Sequence, residues 1–304
     1  MPHPDPSSSK PDRSAWVLMV IAPVLLTSNM LVARWVEGGI PPVAMAFGRW
    51  SLTFLILLPF VAGRLWRGRA AIAREWPGLL VLGGLGMGVC GAPVYIGAET
   101  TTATNIGLIY AASPILIVLL GRAFWGETVT VRQGAGIALC LSGVLTIIAR
   151  GDAAVLYTLS FSVGDLWIVF AMAGWALYSV LLRRWPSRLS LLVRFAAITL
   201  GGVLCMAPFF AAEMALGERA LLDTRTLGTM LFLALIPSIS AYLIYGRLVA
   251  VLGPSRAGLL MYLVPLCNAG LAWMLLGERL QAYHLLGIGL ILPGLYLATV
   301  TGRR

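Results

Sequence analysis

The sequence predicts an all-α membrane protein in which ten transmembrane helices, built as two inverted five-helix repeats, surround a central cavity. Three observations lead to this prediction. The composition is strongly apolar, apolar runs of spanning length follow one another along the chain, and the two halves carry the same residue pattern at a fixed offset.

The composition excludes an ordinary soluble protein. Charged residues make up 11% of the 304 residues and hydrophobic residues 59%, with a mean hydropathy of +0.90. Soluble domains carry about 25% charged residues, so this chain has too few charges to cover a water-exposed surface. The net charge of +10 does not indicate nucleic-acid binding, because no basic stretch is interleaved with aromatic residues in a polar setting.

Ten apolar segments reach the roughly 20 residues that a helix needs to cross a bilayer. They cover residues 15–36, 41–63, 77–98, 103–124, 131–149, 162–183, 189–212, 226–248, 255–276 and 281–301. Only helices and closed barrels can span lipid, and these continuous runs lack the alternation of barrel strands. Residues 1–14 are polar and rich in proline and serine, which predicts a disordered cytoplasmic tail.

The distribution of lysine and arginine predicts the orientation of these segments. With the N-terminus inside, 16 of the 22 basic residues fall in cytoplasmic segments and five in outer segments, while Arg49 lies within a span. Cytoplasmic loops of multi-pass proteins carry the excess of positive charge. We therefore expect both termini in the cytoplasm and the protein in the plasma (inner) membrane.

An internal repeat explains the charged pair in "LLGERLQAYHLLGIGL", residues 275–290. The stretch "FWGETVTVRQGAGIAL", residues 124–139, carries the same Gly-Glu turn 151 residues earlier. The same offset pairs further residues without a gap: Pro114 with Pro265, Gly136 with Gly287, and Gly143 with Gly294. This pattern divides the chain into repeats at 15–150 and 162–302, and an odd number of spans in each predicts opposite orientations. Weak internal repeats of this kind are typical of transporters.

A proline within a span, a Gly-Glu turn and then "GxGxxLxxxGxxL" in both halves resemble the EamA module of the drug/metabolite transporter superfamily. The "TSN" of the first span and "GWALYSVLLRR" of the sixth resemble the corresponding family helices, and Arg49 matches an arginine common in the second. The resemblance covers residues 15–300. It implies ten helices around a cavity that moves small metabolites, and bacterial amino-acid exporters are the most similar members.

Polar aromatic and amide side chains within the spans are the candidate cavity lining. They lie away from the membrane interface where such side chains usually sit, so each needs a hydrogen-bond partner or a cavity. The candidates are Asn29, Tyr95, Tyr110, Trp175, Tyr178, Tyr242 and Tyr262. Helix–helix hydrogen bonds could explain any one of them, but seven together favour a substrate cavity.

Four prolines inside the spans are candidate helix kinks. Each removes a backbone donor and frees a carbonyl, which in a bundle can face a cavity. They are Pro93, Pro114, Pro237 and Pro265. Packing kinks are the alternative, but Pro114 and Pro265 recur at the repeat offset, and for this pair we favour functional bending.

Three charged residues are candidates with two open roles each. Arg49 is the intramembrane charge, and it either anchors helices or binds a substrate carboxylate; we favour anchoring. The repeat-related turn acids Glu127 and Glu278 either anchor a gate or complement the dipole of the next helix. We favour the dipole role for both.

The match to GxGxxG in "GMGVCG", residues 86–91, has a simpler explanation than nucleotide binding. A dinucleotide loop needs a preceding strand and a βαβ unit, whereas this stretch lies within a span. Small residues allow close helix approach, and we expect Gly84 and Gly88 to provide it.

The leading functional hypothesis is a transporter of small metabolites, with neutral and aromatic amino acids as the expected exported substrates, working by alternating access. The alternatives are a membrane-embedded enzyme, a scaffold subunit, or a transporter of another solute class such as sugar phosphates. The sequence lacks HExxH, GxSxG and Walker A motifs and metal-ligand clusters, so we expect no enzyme activity, no metal and no cofactor. The expected partners are a small-molecule substrate and the lipid bilayer, with monomer and homo-oligomer both open.

Overall fold

The structure, a computed structural model, describes residues 13–35, 40–126, 128–152, 154–157, 160–217, 223–276 and 281–299. Every regular element in these ranges is helical. The α-helices are α1 (Arg13–Trp35), α2 (Pro42–Arg67), α3 (Arg69–Gly83), α4 (Ala92–Ala98), α5 (Ala103–Ala111), α6 (Ser113–Trp125), α7 (Val131–Ile148), α8 (Ala154–Tyr157), α9 (Val163–Arg184), α10 (Leu191–Ala215), α11 (Thr224–Leu233), α12 (Ala241–Leu252), α13 (Pro254–Gly258), α14 (Val264–Leu276) and α15 (Ala282–Thr299).

Three segments of other helix types interrupt the α-helical pattern. The first π segment, Gly84–Val89, joins α3 to the turn before α4, and the second π segment, Ala234–Ser240, joins α11 to α12. A 3₁₀ segment, Leu259–Leu263, joins α13 to α14. Interruptions of this kind change which backbone groups are hydrogen-bonded, and they recur near functional sites.

The protein is a multi-pass membrane protein. Within the described ranges, eight helical stretches are long and apolar enough to cross a bilayer: Pro42–Arg67, Arg69–Ala98, Asn105–Phe124, Val131–Ile148, Val163–Arg184, Leu191–Ala215, Thr224–Leu252 and Ala282–Thr299. These correspond to eight of the ten predicted spans. The segments predicted as the first and ninth spans are helical as well, in α1 and in α13–α14, but do not belong to the eight.

Polar residues fix several helix ends. The side chain of Thr130 accepts the backbone N–H of Gln133 at 3.1 Å and so begins α7. Asp223 accepts the N–H of Thr226 at 2.7 Å at the start of α11, and this hydrogen bond lowers the pKa of the carboxyl group. At a C-terminal helix end, Gly126 terminates α6 with φ of 64°, a left-handed conformation that glycine adopts without a Cβ clash.

Glycines hold α7 and α15 in close antiparallel contact. A Cβ at Gly136 would lie 2.6 Å from the carbonyl oxygen of Gly294, and one at Gly143 would lie 2.9 Å from that of Gly287. Gly136 therefore meets Gly294, which is the repeat counterpart of Gly143, and Gly143 meets Gly287, which is the counterpart of Gly136. Between these two contacts, the Cys140 thiol donates to the carbonyl oxygen of Ile291, its own counterpart at that offset, at 3.5 Å.

A second close approach lies between α3 and α10. A Cβ at Gly83 would lie 2.3 Å from the backbone nitrogen of Gly202, whereas Gly84 and Gly88 make only ordinary contacts with α10. The prediction that Gly84 and Gly88 provide the close approach was therefore wrong, because the neighbouring Gly83, on another face of the helix, makes this contact. Gly86 has another role, because a Cβ there would lie 2.7 Å from the ring of Tyr178.

We expect Gly136→Ala and Gly134→Ala to have opposite effects. At Gly136 the added methyl group meets backbone atoms of α15, which cannot move without shifting the helix, so stability should fall by about 1–3 kcal/mol. Gly134 is exposed, with open space around its Cβ position, so alanine should stabilise α7 by up to about 1 kcal/mol. Thermal unfolding of both purified variants in detergent measures the difference. Equal effects of the two substitutions would contradict the packing described for α7 and α15.

Candidate functional site

The guanidinium of Arg49 is buried at the meeting point of four helical segments. Its Nε donates to the Ser238 hydroxyl at 2.6 Å, and one terminal nitrogen donates to Asn29 Oδ1 at 2.7 Å and to the Tyr95 hydroxyl at 3.1 Å. Tyr95 in turn donates to Asn29 at 2.9 Å. The guanidinium carbon also lies 4.7 Å from the ring centroid of Trp50.

These contacts give Arg49 a neutral hydrogen-bond shell. A buried charge without partners is very costly, and here a hydroxyl, an amide and a phenol supply the oxygens. Asn29, Arg49 and Tyr95 belong to the first half of the chain, and Ser238 belongs to the second. The hydrogen bonds of the arginine therefore connect α1, α2 and α4 to the second π segment.

The second π segment contains Pro237, which has no backbone N–H to donate. The carbonyl oxygen of Leu233, which would accept that N–H in an α-helix, instead accepts the Ser238 hydroxyl proton at 2.7 Å. Ser240 likewise donates to the carbonyl oxygen of Leu235 at 2.9 Å. Ser238 is thus fixed in place by its own helix and presents its oxygen to Arg49.

The first π segment makes the complementary contact with the second half. The hydroxyl of Tyr242, in α12, donates to the carbonyl oxygen of Gly86 at 2.8 Å. Each π segment is therefore hydrogen-bonded to a residue of the other half of the chain: Gly86 to Tyr242, and Ser238 to Arg49.

An aromatic cluster fills the space beside these contacts. It consists of Trp50, Trp175, Tyr178, Phe195, Tyr242 and Tyr245. Tyr242 lies at its centre, with the rings of Trp50 and Trp175 at centroid distances of 5.0 and 5.6 Å and nearly perpendicular to it. Trp175 also contacts Tyr245 at 4.6 Å, and Tyr245 donates to the Ser179 hydroxyl at 2.6 Å.

The structure places five of the seven predicted lining residues in two groups and the other two at separate positions. Trp175, Tyr178 and Tyr242 lie in the aromatic cluster, and Asn29 and Tyr95 lie with Arg49. Two lie outside both groups: Tyr110 packs half-buried beside Ile109 and Ile168, and Tyr262 is fully buried in the 3₁₀ segment. Sequence reasoning missed Trp50, Phe195, Tyr245 and Ser238, although Trp50 directly follows Arg49.

The aromatic cluster is closed. Each of its six members is 5% exposed or less, so the rings pack on each other. Two pockets in the described part lie elsewhere, at helix ends. One of about 670 Å³ is bounded by the ends of α9 and α12 and includes Arg183, Arg184 and Arg256, and one of about 290 Å³ lies beside Arg74 and Arg194.

All four predicted kink prolines lie at interruptions of α-helical hydrogen bonding. Pro93 follows the turn at Cys90 and Gly91 and begins α4, and Pro114 begins α6 directly after α5 ends. Pro237 lies in the second π segment, and Pro265 follows the 3₁₀ segment. Sequence reasoning did not single out five further prolines within helices: Pro23, Pro59, Pro77, Pro208 and Pro293.

The turn acids Glu127 and Glu278 lie outside the described residues. A different acid, Asp165, is buried within the described part and was not predicted. It accepts hydrogen bonds from the Thr101 hydroxyl, from Asn105 Nδ2 at 3.1 Å and from the Ser162 N–H at 2.6 Å. Asp165 forms a capping box with Ser162 and ties the start of α9 to the turn before α5.

Comparison with known proteins assigns the family. The model of the EamA-like transporter family matches residues 13–149 and again residues 162–300. The chain belongs to the EamA-like transporter family. The two matches fall on the two halves that the sequence repeat defines, and the membership agrees with the resemblance to the drug/metabolite transporter superfamily.

Several curated proteins are similar to this chain along most of their length. An "uncharacterized transporter", YyaM, of Bacillus subtilis is 25% identical over 290 residues, 93% of each chain. A "probable amino-acid metabolite efflux pump" of Escherichia coli is 26% identical over 94% of each chain. A "probable terminal-alkyne amino-acid exporter" of Streptantibioticus cattleyicolor is 29% identical over 76% of each.

A solved structure shares the fold. It aligns with a TM-score of 0.74 at 21% identity, covering 94% of this chain and 96% of its own. At that identity the likeness concerns the arrangement of the helices alone.

Proposed function

We propose that this EamA-family protein exports neutral amino acids, including large aromatic ones, across the plasma (inner) membrane by alternating access. In this proposal it acts as a transporter rather than as an enzyme and needs no cofactor. Its partners are the small-molecule substrate and the lipid bilayer. Two relatives whose names include amino-acid efflux or export support the substrate class.

The observation that carries the proposal is the aromatic cluster beside Arg49. Its rings come from α2, α9, α10 and α12, so the cluster lies between the two halves. Aromatic side chains of a substrate can pack on such rings, at about 0.5–1.5 kcal/mol for each ring pair. A phosphate-bearing substrate carries about two negative charges, and the Arg49 guanidinium, already hydrogen-bonded by three neutral groups, is a poor match for it.

The proposed architecture has ten spans in two inverted five-helix repeats. The antiparallel contact of α7 with α15 supports it, because equivalent glycines of the two halves meet each other reciprocally. An odd number of spans in each repeat also predicts that the two repeats have opposite orientations in the membrane. The excess of arginine in the segments assigned to the cytoplasm supports placing both termini there.

Alternating access requires the two halves to separate at the cluster on one side and close on the other. The hydrogen bonds from Arg49 to Ser238 and from Tyr242 to Gly86 are the contacts that must break or rearrange. Both involve π segments, where backbone hydrogen bonding is already irregular, so bending there disrupts fewer α-helical hydrogen bonds. In this proposal the breaks at Pro114 and Pro265 are the corresponding bending points of the fourth and ninth spans.

Counterflow into proteoliposomes tests the function. Vesicles loaded with unlabelled phenylalanine, leucine, a sugar phosphate or a nucleotide are given labelled phenylalanine outside, with protein-free vesicles as the control. We expect labelled phenylalanine to accumulate only in the vesicles that are loaded with phenylalanine or leucine. Tyr178→Ala should raise the apparent KM for phenylalanine more than for alanine, whereas the exposed Tyr157→Ala should change neither. A sugar phosphate that exchanges better than any amino acid would overturn the proposal.

Thiol labelling tests the orientation. In a variant without the four native cysteines, single cysteines at Arg69, Arg188 and Thr224 are exposed to a membrane-impermeant maleimide in intact cells and in opened vesicles. We expect the first two to react only after opening and the cysteine at Thr224 to react in intact cells. Labelling at position 69 or 188 in intact cells would contradict cytoplasmic termini.

A further inference from the structure

We infer that the indole N–H groups of Trp50 and Trp175 are the donors that bind the substrate carboxylate. The inference rests on the proposed amino-acid transport and identifies the groups that bind the carboxylate of the substrate. It assigns that role to neutral donors and leaves Arg49 as a structural cation.

The starting observation is that two buried donors of the aromatic cluster are unused. Trp50 is 1% exposed and Trp175 is 3% exposed, and neither indole nitrogen has a hydrogen-bond partner in the described part of the structure. Buried polar groups are nearly always hydrogen-bonded, and an unpaired one is costly. Two such donors on one cluster need an acceptor, and no described protein group supplies it.

The chemistry of the indole restricts what the acceptor can be. An indole N–H donates and has no lone pair with which to accept. Buried hydroxyls that also lack a partner in the described part, such as those of Thr27, Ser113 and Tyr262, can either donate or accept, so they restrict the chemistry of a ligand less. The ligand for the indoles must therefore bring acceptor atoms, and on a neutral amino acid with an apolar side chain those atoms are the two carboxylate oxygens.

The two indole rings contact the same residue and come from different halves of the chain. Both indoles lie nearly perpendicular to the same tyrosine, Tyr242, at 5.0 and 5.6 Å, and they come from α2 in the first half and α9 in the second. A carboxylate that bridges or alternates between them links the two halves. The Nε and one terminal nitrogen of Arg49 are already committed to Ser238, Asn29 and Tyr95, and the inference assigns this arginine the structural role.

The test removes the N–H and keeps the ring. Trp50 and Trp175 are replaced, one at a time, by β-(3-benzothienyl)alanine, which has sulfur in the place of the indole N–H. Each site has a matched control on its own helix, since Trp66 of α2 is 71% exposed and Trp167 of α9 is 39% exposed. Transport of phenylalanine and its inhibition by 2-phenylethylamine, which lacks the carboxylate, are measured in proteoliposomes.

We expect each core replacement to raise the apparent KM for phenylalanine about tenfold, because hydrogen bonds to charged groups are the strong ones. Inhibition by 2-phenylethylamine should change by less than about twofold, and the two control replacements should change neither value. An unchanged KM for phenylalanine in both core variants, or an equal loss for the acid and the amine, overturns the inference. Failure of the wild-type protein to move phenylalanine would instead overturn the proposed function.

Discussion

A guanidinium within a membrane protein has to be surrounded by oxygen atoms, and the arrangement of the central helices follows from how Arg49 meets this requirement. Removing a full charge from water is costly unless hydrogen bonds replace the hydration. Asn29, Tyr95 and Ser238 supply those bonds from α1, α4 and the second π segment. Because the donors of a guanidinium lie in one plane, the three helical segments are fixed in position around α2. The same positions bring Trp50 against Tyr242 and so begin the aromatic cluster.

The helix interruptions provide the groups that this arrangement uses. Because Pro237 has no N–H to donate to the Leu233 carbonyl oxygen, the Ser238 hydroxyl donates to that oxygen, while the serine oxygen accepts from Arg49. In the other half, Gly86 has no side chain, so the ring of Tyr178 packs directly on its backbone, and its carbonyl oxygen accepts from Tyr242. In a regular α-helix without proline, each of these carbonyl oxygens would also accept the backbone N–H four residues later. Irregular backbone within a membrane protein is tolerated where the protein itself satisfies it, as it does at both π segments.

Sequence reasoning could predict the helical segments because hydropathy and spacing depend only on local residues. The offset of 151 residues even predicted which glycines would correspond, though not that Gly136 would meet Gly294 and Gly143 would meet Gly287. The site was harder, because the lining residues were chosen by depth along each helix. Depth does not determine which way a side chain points around the helix. Tyr110 and Tyr262 therefore fell outside the cluster, and Tyr245, one turn beyond Tyr242 on the same face, was missed. Ser238 could not be predicted because its position depends on a π segment.

The direct test of this account is a double-mutant cycle between Arg49 and Ser238, measured by unfolding of the purified protein in detergent. The first cycle compares the wild type, Arg49→Gln, Ser238→Ala and their double variant. A control cycle replaces Ser238→Ala by Ser240→Ala, alone and together with Arg49→Gln, since Ser240 bonds only to its own helix in the described contacts. The account predicts a coupling free energy of at least about 1 kcal/mol for Arg49 with Ser238 and about zero for Arg49 with Ser240. Additive effects of Arg49→Gln and Ser238→Ala would contradict it.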